Sequence, residues 1–233
     1  MNTPETLPEL LRTVPYFSDL GPEVLEAVAA RCKSKVSAAG QMIFMRGDPC
    51  LDLCILEAGR VMFSRVSAEG REQVLKVFDS PGDTFCIASA FSTGRHIVNV
   101  QAATQTRLYL LDMDTANRLV REHPSMGLKL MAAAGEHMAH LVNLAEDLAL
   151  RSATERLAKY LHELAVTEGG SKVKAIVLAR DRLRVEALAS ILGAVRVQVS
   201  RSLSNLVRTG AIEVDRESVR ILDLAALRHV FER

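Results

Sequence analysis

The chain has 233 residues, 48% hydrophobic and 24% charged, which suits two modest globular cores and excludes wholesale disorder. Its net charge of +1 conceals an imbalance: residues from Arg151 onward carry 15 Lys+Arg against 10 Asp+Glu, net +5, and the remainder carry 14 against 18, net −4, so the basic final third points to a polyanionic partner. No apolar run of about 18 residues is present and the start, MNTPETLPELLRTVPYF, has no basic segment leading into an apolar one, so neither a membrane span nor a signal peptide is expected, and the reading is cytoplasmic.

Residues 1–35 read as helical, with apolar spacing in Pro8–Leu11 and in Val24, Leu25, Val28 and Ala29, and with Gly21-Pro22-Glu23 as a helix start. From 36 to 112 the texture changes to short β-rich runs separated by glycines: Met42–Met45, Leu53–Leu56, Val61–Val66, Gln73–Phe78, Phe85–Ile87, Ile97–Ala102 and Arg107–Leu111. Their spacing predicts an antiparallel barrel, sandwich or roll.

A long helix is predicted over 124–150. Leu130, Ala134, His137, Leu141, Leu144 and Leu148 repeat at spacings of 4, 3, 4, 3 and 4, an a/d seam. A second stripe, Leu128, Met131, Met138, Val142 and Ala145, lies beside it. Two apolar stripes need two neighbours. The first is assigned to the same helix of a second chain, making a homodimer, and the other to the β domain. Ser152 with Glu155 three residues on is a capping-box pattern that opens a new helix, which runs to a loop at Glu168-Gly169-Gly170-Ser171. The expected organisation is a sensor domain over 1–123, a dimerisation helix over 124–151 and a DNA-binding domain over 152–233.

The segment RVEALASILGAVRVQVSRSLSNLVRTG, Arg184 to Gly210, reads as helix, tight turn at Gly193-Ala194, and second helix from about Val195 to Arg208. Val199, Leu203 and Leu206 form the buried stripe of that second helix. Its other face presents Val197, Gln198, Arg201, Ser204, Asn205 and Arg208, flanked by Arg196 and Ser200, side chains suited to phosphates and base edges of double-stranded DNA. Ile212-Glu213-Val214 and Val219-Arg220-Ile221 follow as a two-stranded wing.

These pieces together resemble the CRP/FNR superfamily of bacterial transcription regulators over nearly the whole chain. The matching motifs are Ile43-Phe44 with Gly47-Asp48, the strand-turn-strand Leu53-Cys54-Ile55-Leu56-Glu57-Ala58-Gly59-Arg60-Val61, Gly70, Gly82-Asp83-Thr84-Phe85, Arg156 after the hinge, and VRVQVSRSLSNLVRTGAI. The resemblance implies an α+β fold: an N-terminal β-roll (a double-stranded β-helix like a cyclic nucleotide-binding domain), a long dimerisation helix and a C-terminal winged helix-turn-helix. It further implies a homodimer on a pseudo-palindromic operator, with RNA polymerase as a further partner. Arg196, Ser200 and Arg201 fall on its base- and phosphate-contacting positions. Val197 departs from the pattern, because many members have glutamate there; valine cannot accept from cytosine N4 but can touch a thymine methyl.

The effector is read from Phe85, Cys86, Ser89, Arg95, His96 and His137, between the roll and the long helix. Members of the resembled family that bind cyclic AMP use an arginine–serine pair and a glutamate, and here the pair reads His96-Ile97 beside Arg95. Cys86 falls on the cysteine ligand of the carbon-monoxide-sensing haem member, whereas Ala88 falls on its histidine. Haem therefore enters as a possible cofactor sensing nitric oxide or another diatomic gas, with His96, Cys86 and His137 as candidate iron ligands. Alternatives are a regulator of the same fold that responds to a cyclic nucleotide or to thiol redox through Cys50, Cys54 or Cys86, and a cyclic nucleotide-binding module without DNA binding. An enzyme of the cupin type is excluded by the want of histidines, since His96 alone precedes residue 120.

Overall fold

The computed structural model describes residues 6–87, 89, 93–169, 176–179, 183–215 and 218–232. Ala88, Ala90 and Phe91 of the effector stretch, and Gly170-Ser171 of the expected loop, lie outside them. The chain divides into two compact units, one of Met1–Arg65 with Leu75–His140 and the other of Val66–Val74 with Leu141–Arg233.

The first unit begins with α1 (Leu7–Thr13) and α2 (Pro22–Ala29), joined by a 3₁₀ turn at Pro15–Phe17. The Thr6 hydroxyl accepts from the Glu9 N–H while the Glu9 carboxylate accepts from the Thr6 N–H, closing the start of α1. The helical expectation for residues up to 35 fails at its end. Lys33–Ser37 is a strand, β1, paired with β8 (Thr106–Asp112) in the register Lys33↔Leu110 to Ser37↔Thr106. Sheet pairing overrides the helical preference of the lysines.

Two antiparallel four-stranded sheets make the roll. One has the order β1–β8–β3–β6, with β3 at Asp52–Ala58 and β6 at Thr84–Phe85; the other has the order β2–β7–β4–β5, with β2 at Met42–Phe44, β4 at Val61–Val66, β5 at Glu72–Phe78 and β7 at Asn99–Ala102. Strand β3 is buried on both faces, and its alternation separates two cores. Cys54 and Leu56 join the roll interior with Cys50, Phe78, Phe85, Cys86, Val100 and Leu108. Leu53 and Ile55 face the other way, into a core with Leu11, Phe17, Leu25, Leu111, Leu119, Met126 and Leu130. That second core is completed by α3 (Met113–Glu122), whose Asp112 cap accepts from the Thr115 N–H at 2.8 Å, and by the start of α4 (Pro124–Leu150).

The second unit packs α5 (Ala153–Gly169), α6 (Val185–Leu192), α7 (Arg196–Arg208) and α8 (Leu224–Phe231) on a three-stranded sheet. The sheet order is β10 (Ile212–Val214), β11 (Ser218–Ile221) and β9 (Ile176–Ala179). The two-stranded wing thus has a third strand, β9, on β11. Leu157, Leu161, Leu178, Leu188, Leu192, Val199, Leu206 and Leu227 form the core.

The β3–β4 hairpin turns at Gly59, with φ of 97°. A Cβ there would lie 2.4 Å from the Gln105 carbonyl oxygen and 2.7 Å from the Thr106 Cα, both backbone atoms that cannot swing aside. Gly59→Ala combines a disfavoured dihedral with that clash, and should destabilise the first unit by about 2–3 kcal/mol. Urea unfolding of the variant checks this; an unchanged midpoint would show that the turn yields freely.

Candidate nucleic-acid interface and effector region

Helix α6 ends at Gly193, which adopts the left-handed conformation (φ 60°), and the chain re-enters helix at Arg196. This tight turn sets α7 across α6. The inward face of α7 holds Val199 and Leu206 fully and Leu203 partly. It also holds Ser202, which the stripe of Val199, Leu203 and Leu206 left out. The Ser202 hydroxyl lies 3.0 Å from the Thr154 hydroxyl at the start of α5, so a buried polar contact pins α7 to α5.

Of the eight residues expected to meet DNA, Arg196, Val197, Gln198, Ser200, Arg201, Ser204 and Arg208 are exposed on one side of α7, and Asn205 is half-buried. Several of them have local duties. The Gln198 side-chain oxygen accepts from the Val195 N–H at 3.2 Å, closing the start of the helix. The Ser204 hydroxyl donates to the Ser200 carbonyl, and the Arg208 guanidinium donates to the Asn205 side-chain oxygen at 2.9 Å. Arg196 lies 3.6 Å from Glu186, with both side chains well exposed, so the pair is weak. Val197 is 59% exposed, an apolar surface in the middle of a polar face. In the wing, the directly opposed Glu213 and Arg220 pair at 2.6 Å.

The end of α4 is held to this unit by Arg156. Its guanidinium donates to the Leu192 carbonyl (2.8 Å), the Arg151 carbonyl (2.6 Å) and the Asp147 carbonyl (3.4 Å). One cation thus closes the C-terminal ends of α4 and α6, where backbone carbonyls lack helical partners. Its desolvation lowers the guanidinium pKa, opposed by Asp147 and Glu155. The expected capping box is present: the Ser152 N–H donates to Glu155 at 2.6 Å, and the Glu155 N–H donates to the Ser152 hydroxyl. Those bonds hold the Glu155 carboxyl below its ordinary range.

The expected seam on α4 is divided between buried and open residues. Leu130, its first residue, is 6% exposed inside the core of its own chain, and His137 is half-buried with its ring 5.9 Å from that of Phe78. Leu148 is where a side chain on Gly193 would collide. Ala134 and Leu144 are half-buried, whereas Leu141 and Leu148 are 48% and 38% exposed, so the start of this stripe meets its own chain and its later part stays open. The second stripe is the open one: Leu128, Met131, Met138 and Val142 are 61–70% exposed. Both stripes repeat at heptad spacing, so spacing alone could not choose between them.

The effector candidates separate into distinct places. Cys86 and His96 meet inside the roll, the thiol 3.6 Å from imidazole Nδ1. Two further cysteines join them: Cys54 Sγ lies 3.9 Å from Cys86 Sγ, and the Cys50 thiol contacts the Cys86 carbonyl. Cys50, missed as a partner of His96, lies with Cys86 and His96 such that their ligand atoms are all within 4.8 Å of one another. The Cys50 thiol is pushed up by its bond with Cys86 and by burial. For Cys86 the bond with Cys50 lowers the pKa, but the contact with Cys54 and burial outweigh it. Phe85 belongs to the surrounding core, where its ring meets those of Phe63 and Phe78. Ser89 is buried, its hydroxyl accepting from the Ile97 N–H, whereas Arg95 is exposed and donates to the Gly47 carbonyl at 2.7 Å. His137 meets the edge of the Phe78 ring instead, its pKa lowered by burial and by Lys76 and His140.

Comparison with known proteins agrees with this architecture. The cyclic nucleotide-binding domain family matches residues 35–123, and the Crp-like helix-turn-helix domain family matches residues 155–230. A "CRP-like cAMP-activated global transcriptional regulator" of Mycobacterium tuberculosis is 26% identical over 215 residues, 92% of this chain and 95% of that protein. The "Cyclic AMP receptor protein" of Thermus thermophilus is 24% identical over 216 residues, 93% and 96% of the two chains. Among solved structures, a CooA mutant from Carboxydothermus hydrogenoformans superposes with a TM-score of 0.75 at 22% identity, covering 98% of this chain and 97% of that one. Roll, long helix and winged helix-turn-helix, in that order and matched over nearly their full length, place the chain in the CRP/FNR family of transcription regulators.

Proposed function

We propose that the chain is a sequence-specific regulator that binds a pseudo-palindromic operator as a homodimer, with α7 as the reading helix. The observation that carries this reading is the exposed face of α7, where Arg196, Ser200, Arg201 and Arg208 project from a helix fixed from behind by Val199, Ser202 and Leu206. Two such helices would enter successive major grooves about 34–36 Å apart. Dimerisation falls to the open stripe of α4, because four large apolar side chains at 61–70% exposure on one helix face call for a partner. Val197 supports an operator with a thymine where its side chain meets the groove.

The buried pair in the roll does not fit a haem. Axial ligands of one haem iron face each other across the macrocycle, whereas Cys86 and His96 touch directly and Phe44 stacks on the imidazole, with ring centroids 4.3 Å apart. A cyclic phosphate fares no better at the matching stretch, since Arg95 is turned to the surface on the Gly47 carbonyl.

Met138→Glu should convert the dimer to a folded monomer in sedimentation analysis and lower operator affinity. A variant that stays dimeric would return the interface to another face. Arg201→Ala should weaken specific binding by about 1–3 kcal/mol, roughly 5- to 150-fold in Kd. Gel shifts over a salt series read both this loss and the steep salt dependence of phosphate contacts; equal affinities for wild type and variant would remove Arg201 from the interface. Selection from random DNA should recover different half-sites for wild type and Val197→Glu, with the change confined to one base pair.

A further inference from the structure

Two loops of the roll are laced together by their backbones. The Gly47 N–H donates to the His96 carbonyl, the His96 N–H to the Asp48 carbonyl and the Cys50 N–H to the Gly94 carbonyl, at 2.8–2.9 Å. A bridge between Pro49 and Arg95 lies among them. This lacing fixes Cys50 and His96 opposite each other. Cys86 comes from a third segment, just after β6, and is the one described non-glycine residue with positive φ, 73°. Such a conformation disfavours a side chain by about 1–3 kcal/mol and persists only where surroundings impose it. Here it delivers the sulfur to the other two groups. Phe44 holds the plane of the imidazole from one side. All three side chains are buried, at 3–5% exposure.

We propose that Cys50, Cys86 and His96 form a binding site for a divalent thiophilic metal ion of the zinc class. The distances suit it. With bonds of about 2.3 Å to sulfur and 2.0–2.1 Å to nitrogen, ligand atoms around a tetrahedral zinc lie roughly 3.5–3.8 Å apart. Cys86 Sγ and His96 Nδ1 are already 3.6 Å apart, and the whole triad converges within 4.8 Å. The charges suit it too. Each thiol S–H is lost on binding, its proton passes to solvent, and the sulfur electron pair forms the metal–sulfur bond. Two thiolates, a neutral imidazole and a divalent ion sum to zero, so no net charge is left in the buried site. Cys54, 3.9 Å from Cys86 but outside the converging triad, abuts the ligand sulfur without serving as a ligand. A third thiolate would leave the site negative. Three protein ligands leave the fourth position open.

The test uses the full chain, reduced and treated with chelator, then titrated with Co²⁺ and with Zn²⁺. One Co²⁺ per chain should bind with thiolate charge-transfer absorption in the near ultraviolet, and Zn²⁺ should displace it. Cys50→Ser and His96→Gln should each weaken Zn²⁺ binding at least 100-fold while the circular dichroism of the roll is kept; using both guards against misfolding of one. Cys32→Ser should bind as wild type does, and Cys54→Ser should keep the charge-transfer band. No charge-transfer band in folded wild-type protein, or wild-type affinity in both ligand variants, overturns the proposal. So does a Cys54–Cys86 disulfide formed in air by a chain that takes up no Zn²⁺ when reduced. The result is independent of DNA binding, which gel shifts read separately.

Discussion

A strand with apolar side chains on both faces must be covered on both, and β3 imposes that requirement on the first unit. Leu53 and Ile55 recruit the flanking helices and the start of α4; Cys54 and Leu56 recruit the inside of the roll. Each fully buried large aliphatic side chain contributes about 1.5–3 kcal/mol relative to exposure, so β3 concentrates stabilisation that no surface strand could supply. The same alternation dictates chemistry. Because Cys54 falls on the roll side, its sulfur is carried to Cys86, and the pairing Cys54↔Phe85 between β3 and β6 places the next residue, Cys86, within reach.

Helix α4 repeats the two-sided requirement in helical form. Its inner face is anchored by Met126 and Leu130 and continues past His137, while His140 Nε2 meets the Leu75 carbonyl at 2.8 Å. Its outer face is apolar without a covering element among the described residues. The physics that makes the inner face adhere applies equally outside, and the proposed dimer would satisfy it. The mean hydropathy of +0.12 conceals this, because the apolar excess is confined to a stripe.

Much of this organisation was legible from the residues. Glycines between short β-rich runs marked the roll, Ser152 and Glu155 marked the start of α5, and Gly193 marked the helix-turn-helix because its left-handed turn needs no side chain. The reading helix was legible as an amphipathic segment, but its anchoring was not. Ser202 is polar by type and so reads as surface, and only the position of Thr154 makes burial acceptable. Strand β9 has a signal in Ile176-Val177-Leu178, a short apolar run opened by two β-branched residues, yet three residues cannot distinguish strand from helix. The inner and outer stripes of α4 could not be told apart because both keep the heptad. Cys50 and Cys86 are 36 residues apart, and their convergence with His96 depends on loop lacing that no local pattern encodes.

The contacts of Arg156 carry one more consequence. A single side chain accepted by carbonyls at the ends of two helices removes the option of fraying either end alone. The last turn of α4, the start of α5 and the end of α6 become one cooperative opening unit, a foldon in the language of amide exchange. Within the second unit, a tilt of that last turn cannot occur without the neighbouring helix ends following it.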